Sequence, residues 1–478
     1  MTEWAAADGY TIGRLLVTRG LAVLYLVAFF AALLQFRALI GTRGLLPVPD
    51  FVAARSFKSS PSVFHFRYSD RLFAALAVVG VLLAGFTLVG VTERLPLPAC
   101  MAVWFGMWAL YLSIVNVGQV WYSFGWESLL LEAGVLAIFL GNADVAPPFL
   151  VLILIRWVLF RVEFGAGLIK MRGDPCWRDL TCLYYHHETQ PMPGPLSRFF
   201  HLLPRPLHRV EVAGNHVTQL VVPFGLFLPQ PVAGLAAAVM ILTQLWLVAS
   251  GNFAWLNWIT IVLALSVVPD EFYGRIVTVN ADYAPTPLPF TVAVVALTVL
   301  TAALSYRPVR NLASRRQAMN ASFNQWHFVN AYGAFGSITR TRHEVIVEGT
   351  ADRVDTPATE WREYEFKGKP GDVRRRPRQY APYHLRLDWL MWFAAISRDY
   401  AASWFPRFVY KLLENDRKTL KLLRHNPFPE APPARIRARL FRYRYATRSE
   451  HRATGVWWVR EPVADFMMPL SLSDLRMS

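Results

Sequence analysis

The apolar residues of this chain fall in blocks of roughly 15–25, about the length a helix needs to cross a hydrocarbon core. Backbone surrounded by lipid must satisfy its own hydrogen bonds, and an uninterrupted helix does so within one segment. The blocks lie near 15–36, 72–91, 100–118, 128–141, 149–169, 215–229, 232–250, 253–268 and 288–306. Two of them are irregular. The block at 128–141 is short and follows "WYSFGWE", and the block at 215–229 contains Pro223, so it is expected to be broken or re-entrant. The expected fold is an α-helical polytopic membrane protein with seven to nine transmembrane helices. Only 17% of the residues are charged, against about 25% in soluble domains.

"MTEWAAADGY" is not a basic leader, and the apolar run after it is too long for a signal peptide, so the first block reads as a span that stays in place. After Tyr306 the character changes. Residues 307–322 form a basic juxtamembrane linker, and 323–478 read as a soluble α+β domain. "HEVIVEGT" alternates like a strand, "TEWREYEFKGKPGD" reads as a second strand, and "LRLDWLMWFAAI" and "FVYKLLENDRKTLKLL" have helical spacing. "PPARIRARLFRYRYAT" alternates arginine with apolar residues, as a strand with one charged face would. Its arginines Arg435, Arg437, Arg439, Arg442 and Arg444 read either as a solvated sheet face or as a surface for an extended client segment.

The net charge is +16, carried by arginine far more than by the seven lysines. It suits anionic lipid headgroups. Nucleic acid is not expected, because apolar spans and acids interrupt the basic residues. With nine spans, loops 37–71 and 170–214 share one side with the C-terminal domain. The arginine excess there puts that side in the cytoplasm by the positive-inside rule, which is weak for long loops and domains.

Ionisable residues inside spans are expensive unless paired or wetted. Glu127, Glu132, Arg156, Arg161 and Glu163 lie in or beside the fourth and fifth blocks. They read as an intramembrane polar network, serving either as glue between helices or as a cavity for a headgroup. Lys170 ends the fifth block; such a lysine more often snorkels to the headgroups, and at a dry interface it can instead act as a base. The loop beyond it, with Asp174, Trp177, Asp179, His186, His187 and Glu188, reads as a polar cap over the bundle. Cys176 and Cys182 are close enough to pair, and their spacing leaves that open. No metal site is expected, since His187-Glu188 is not continued as H-E-x-x-H, and no cofactor is expected, since Walker and G-x-G-x-x-G loops are missing. No G-x-S-x-G elbow is present either.

Long runs are similar, in order, to the lipase maturation factor family: "YSFGWESLLLEAG", "RWVLFRVEFGAGLIKMRGDPCWRDLTCLYYHHETQPMPGPLS", "SGNFAWLNWITIVL", "HFVNAYGAFGSITRTRHEVIVEG" and "IRARLFRYRY" among them. The resemblance implies a membrane-anchored folding factor for secreted lipases, with its C-terminal domain on the exoplasmic or luminal side. That is the endoplasmic reticulum lumen in animals and the outer side of the cytoplasmic membrane in a bacterium. Its partners would be membrane lipids and a secreted client. It implies no catalytic residue and no oligomeric state. "AGLIKMRGDPCW" is also similar to a stretch of vitamin K-dependent gamma-carboxylase, where a lysine matching Lys170 takes part in deprotonation. That supports an alternative, a membrane enzyme acting on a lipid or quinone-like substrate with Lys170 as base.

Overall fold

The computed structural model describes residues 6–274 and 282–476. The first residues of "MTEWAAADGY" and the middle of the acidic loop at 269–287 lie outside the described residues. Helices occupy all nine apolar blocks: α1 (Thr11–Leu39), α2 (Asp70–Leu88), α3 (Leu97–Val117), α4 (Gly125–Ile138), α5 (Phe149–Arg172), α7 (Arg205–Leu220), α8 (Val232–Ser250), α9 (Leu256–Leu265) and α10 (Leu288–Leu304). The short α6 (Leu183–Thr189) lies in the polar loop between α5 and α7.

By length and composition α1, α2, α3, α8 and α10 can cross a membrane. The other four depart from that pattern for separate reasons. Helix α4 has 14 residues and α9 has 10, short of the roughly 20 a perpendicular crossing takes. Helix α5 has 24 residues but carries Arg156, Arg161, Glu163, Lys170 and Arg172. Helix α7 stops at Leu220, and a second short helix, Val222–Gly225, follows around Pro223.

Helix α1 is the hub, packed against α2, α4 and α9, with Tyr25 and Phe29 fully buried. Gly80 of α2 lets α1 approach, since a Cβ there would run into the Phe29 ring. Helices α2, α8 and α10 turn Leu82, Phe86, Leu235, Leu242, Val292 and Val299 outward. On a soluble protein such a belt would aggregate; here it is the surface that lipid covers. The chain is an integral membrane protein.

Contacts sort the loops to two ends of the bundle. At one end Thr11 meets Asp270, Arg14 meets the Val145 carbonyl, and Gln230 meets the Val267 carbonyl. At the other, Gln35 of α1 donates to the His384 carbonyl and Asn116 of α3 to the Gln325 carbonyl. The C-terminal part therefore sits on the end where α1, α3, α5 and α8 finish.

That part holds a four-stranded antiparallel sheet in the order β2-β1-β5-β6 and a small pair β3-β4. The strands are β1 (Arg342–Thr350), β2 (Arg362–Glu363), β3 (Glu365–Phe366), β4 (Leu423–His425), β5 (Arg435–Tyr445) and β6 (Trp458–Ser471), with helices α11 (Arg386–Ile396) and α12 (Phe405–Leu413) between them. The expected second strand at 359–372 is split into two short pieces that serve different sheets. The arginine alternation of β5 also slips: Arg435, Arg437 and Arg439 have one parity, Arg442 and Arg444 the other. The β5–β1 register runs on without a break, so the two sets of arginines face opposite sides of the sheet; the extra residue between Leu440 and Phe441 is Val463, on the β6 side. Trp389, Trp404 and Trp458 are buried in the core of this part.

Candidate functional site

The charges inside the bundle form separate groups rather than one network. Glu127, at the start of α4, accepts from Tyr111 of α3 at 2.5 Å and from the Arg386 guanidinium of α11 at 2.6 Å. Both side chains are wholly buried, and Arg386 also donates to the Trp121 carbonyl and lies over the Tyr122 ring. Glu132, just over one turn on, pairs with Arg161 of α5 through a two-pronged contact. It also accepts from the Asn330 backbone at 3.0 Å and from the Tyr332 hydroxyl at 2.6 Å. Arg156 meets no acid among the described residues and donates instead to the Leu226 carbonyl and the Tyr10 hydroxyl. Glu127 thus takes its cation, and Glu132 two hydrogen-bonding partners, from the C-terminal chain, a dry arrangement that fastens the two parts together.

Glu163 and Lys170 belong elsewhere. Lys170 Nζ donates to Gln219 Oε1 of α7 at 2.8 Å and to Asn215 Oδ1 at 3.3 Å, and it lies 4.9 Å over the Trp177 ring. Gln219 donates to Glu163 at 3.2 Å, Gln244 of α8 donates to the other Glu163 oxygen at 2.7 Å, and Asn257 of α9 donates to Gln244 at 2.7 Å. Donors run from both sides toward one carboxylate, and helices α5, α7, α8 and α9 each supply a member. This polar row forms one wall of a cavity of about 1190 Å³, otherwise walled mainly by apolar and aromatic side chains such as Phe253, Phe335 and Trp392. Ligand pockets usually hold about 300–1,000 Å³, so the space suits a lipid-sized molecule.

The polar loop closes this cavity and ties it to the sheet. Cys176 and Cys182 are disulfide-bonded. Asp174 caps the short helix after α5 by accepting from the Cys176 backbone, and Arg340 holds it at 2.7 Å. Trp177 donates to the Phe335 carbonyl at 2.8 Å. At Gly165 the Tyr332 carbonyl passes so close that no Cβ would fit. Glu188 accepts from the Tyr445 backbone at 2.8 Å, and Arg342 reaches the carbonyls of Glu188 and Gln190. His186 stacks on Phe253 and meets Phe335 edge-on, where burial pushes it down to about 3 and keeps it neutral. His187 faces Glu211, and Asp179 is exposed.

The β5 arginines are mostly engaged within the sheet. Arg437 and Arg439 clamp Glu348 at 2.7 and 2.9 Å, Arg444 pairs with Glu450, and Arg435 donates to the Pro469 carbonyl. Arg442 is exposed and has no ion pair among the described residues. Strand β5 lies inside the sheet, so its backbone cannot receive another strand. The edge beside it is β6, exposed over 461–465.

Asn215, Gln219, Gln244 and Asn257 were not singled out from the sequence. Amides in "NHVTQLVVPF", "ILTQLWLV" and "WLNWITIV" are uncharged, yet each is a strong hydrogen-bonding group in a mainly apolar segment, which was the available signal.

Comparison with known proteins agrees with this architecture. The lipase maturation factor transmembrane domain matches residues 12–275, and the lipase maturation factor C-terminal domain matches 328–469. The chain belongs to the lipase maturation factor family. It is 41% identical to lipase maturation factor 1 of Bos taurus over 98% of this chain and 91% of the relative. The Homo sapiens protein of the same name is also 41% identical, over 98% and 89%. Lipase maturation factor 2 of Gallus gallus is 27% identical over 96% and 82%. No solved structure matches.

Proposed function

We propose that this protein is a membrane-anchored maturation factor for secreted lipases, and that its C-terminal domain meets the client on the exoplasmic side. The names of its relatives, matched over nearly the whole chain, carry the first half of this reading. The disulfide supports the second. A Cys176–Cys182 bond is favoured by an oxidising compartment, and its loop is hydrogen-bonded to Phe335, Gly336 and Arg340 of the C-terminal chain. Loop and tail therefore share a side, and that side is exoplasmic despite its arginines. Nine crossings fit this orientation, counting α4, α5, α7 with its short continuation, and α9. In this reading 1–306 anchor, 307–322 connect, and 323–478 carry the client surface.

The client surface we favour is β6. It is a 14-residue edge strand with Val463 and Met468 turned outward, and it would take an extended client segment by strand addition. A strain carrying Val463→Lys with Met468→Lys should keep normal levels of the protein and lose at least five-fold of its secreted lipase activity. Full lipase secretion from that strain would remove the edge from consideration, and full secretion from a strain lacking the whole chain would remove the lipase role. Phosphatase fused after residue 478 should be active; a cytosolic, inactive fusion would reverse the orientation.

One observation favours a second reading, an enzyme on a lipid or quinone-like substrate: Lys170 faces a lipid-sized cavity and is linked through Gln219 to Glu163. Lys170→Ala should then abolish function at unchanged protein level. Retained function in that variant leaves the polar row a structural role only.

A further inference from the structure

One cluster of metal-ligating side chains stands at the rim of the cavity, apart from the Lys170–Glu163 row. His187 belongs to α6 in the cap, while His208 and Glu211 stand one turn apart on α7. One ligand atom from each lies within 4.8 Å of the others. His187 Nε2 is 3.5 Å from Glu211 Oε2, and His208 Nδ1 is 3.9 Å from the same oxygen. Those separations are long for hydrogen bonds. They are close to the roughly 3.4 Å between two ligands on a tetrahedral zinc with bonds near 2.1 Å.

The unpaired atoms are the ones a metal would use. His187 Nε2, His208 Nδ1 and Glu211 Oε2 are buried and have no hydrogen-bond partner among the described residues. Of the remaining atoms, His208 Nε2 and Glu211 Oε1 have other partners, while His187 Nδ1 is buried with no hydrogen-bond partner among the described residues. His208 Nε2 lies 3.3 Å from the His201 carbonyl, which keeps a proton on that nitrogen and the lone pair on Nδ1. Trp246 donates to Glu211 Oε1 at 2.7 Å, which leaves Oε2 to bind as a single oxygen. The side chains of both histidines are only 2% exposed, so two imidazoles and a carboxylate are held out of water with their lone pairs converging. The other group of this kind, Asp174 with Cys176 and Cys182, has its sulfurs joined to each other.

We propose that His187, His208 and Glu211 bind one divalent transition-metal ion, with Zn²⁺ the best match to two imidazoles and a carboxylate. His187 and Glu211 line the large cavity, so the fourth coordination position opens toward it and takes water or an oxygen donor of a cavity ligand. The site does not depend on the lipase role.

The test uses full-length protein in detergent, free of a histidine tag, stripped with a chelator and dialysed against Zn²⁺. Elemental analysis should find one Zn²⁺ per chain, and Glu211→Gln and His208→Ala should each weaken binding at least ten-fold. Cobalt in place of zinc should give the intense visible bands of a four-coordinate ion, and Glu211→Gln should abolish them. Absence of stoichiometric zinc in the native protein overturns the proposal, as does unchanged affinity in both variants. Should a variant lose its monodisperse elution peak, X-ray absorption on the zinc-loaded native chain decides. A shell of two imidazoles with oxygen supports the site, and a sulfur-containing or all-oxygen shell overturns it.

Discussion

Replacing Glu127 by Ala is expected to destabilise the folded chain by about 3–5 kcal/mol, the usual effect of stranding a buried charge. Arg386 is the group left behind. It has no exposure to water, and its remaining partners are the Trp121 carbonyl and the faces of Tyr122 and Trp255. Arg386→Ala should do comparable damage from the other side, because Glu127 would keep only Tyr111 and His384 around its carboxylate. The pair itself is not what makes the junction stable, since taking two charges out of water offsets most of their attraction. The double variant Glu127→Leu with Arg386→Met should therefore recover most of the loss of either single change. The measurement is the midpoint of a heating series read by size-exclusion fluorescence in detergent. An unchanged midpoint in Glu127→Ala would show that the ion pair is not a fastening. A double variant as damaged as the sum of the singles would show that the charges themselves stabilise the fold.

That junction also marks where sequence reading succeeds and where it stops. Apolar blocks are local, so most helices lie where their blocks do, while the block at 215–229 holds only the end of α7 and the short Val222–Gly225; Glu127, Glu132 and Arg161 stood out because charge is rare in such company. Their partners were a different matter. Arg386 lies 259 positions from Glu127, within a segment whose helical spacing was clear but in which nothing local marks the arginine as buried. Asn330 and Tyr332 lie in a stretch without regular period, so nothing local announced that they complete the Glu132 site. Strand β6 was missed for a physical reason as well. Pro462 and Pro469 and the bulged register opposite β5 break the alternation that identifies strands. The pair His208 and Glu211 carried a legible H-x-x-E spacing, but its third member, His187, comes from a separate helix and only folding brings it near.

Removing the C-terminal part should do more than remove a client surface. A chain ending at residue 322 loses Asn330 and Tyr332 from Glu132 and Arg161, and it loses His384 and Arg386 from Glu127. Glu127 would then be a buried carboxylate without a cation, and the Glu132–Arg161 pair would face water or lipid on the side the tail now covers. Stranding Glu127 alone is expected to cost about 3–5 kcal/mol, a large share of the 5–15 kcal/mol by which folded domains usually persist, and the uncovered Glu132–Arg161 pair adds to it. The expected result is that the 1–322 chain fails to accumulate as a monodisperse species. A chain ending at 341 keeps the segment that seals Glu132 and should be recovered in part, and adding Glu127→Gln to it should raise recovery further, because a neutral amide needs no guanidinium. This order separates a fastening from a passenger domain. If the 1–322 chain elutes and melts like the full protein, the helix bundle is self-sufficient, and the buried contacts across the junction are incidental to its stability.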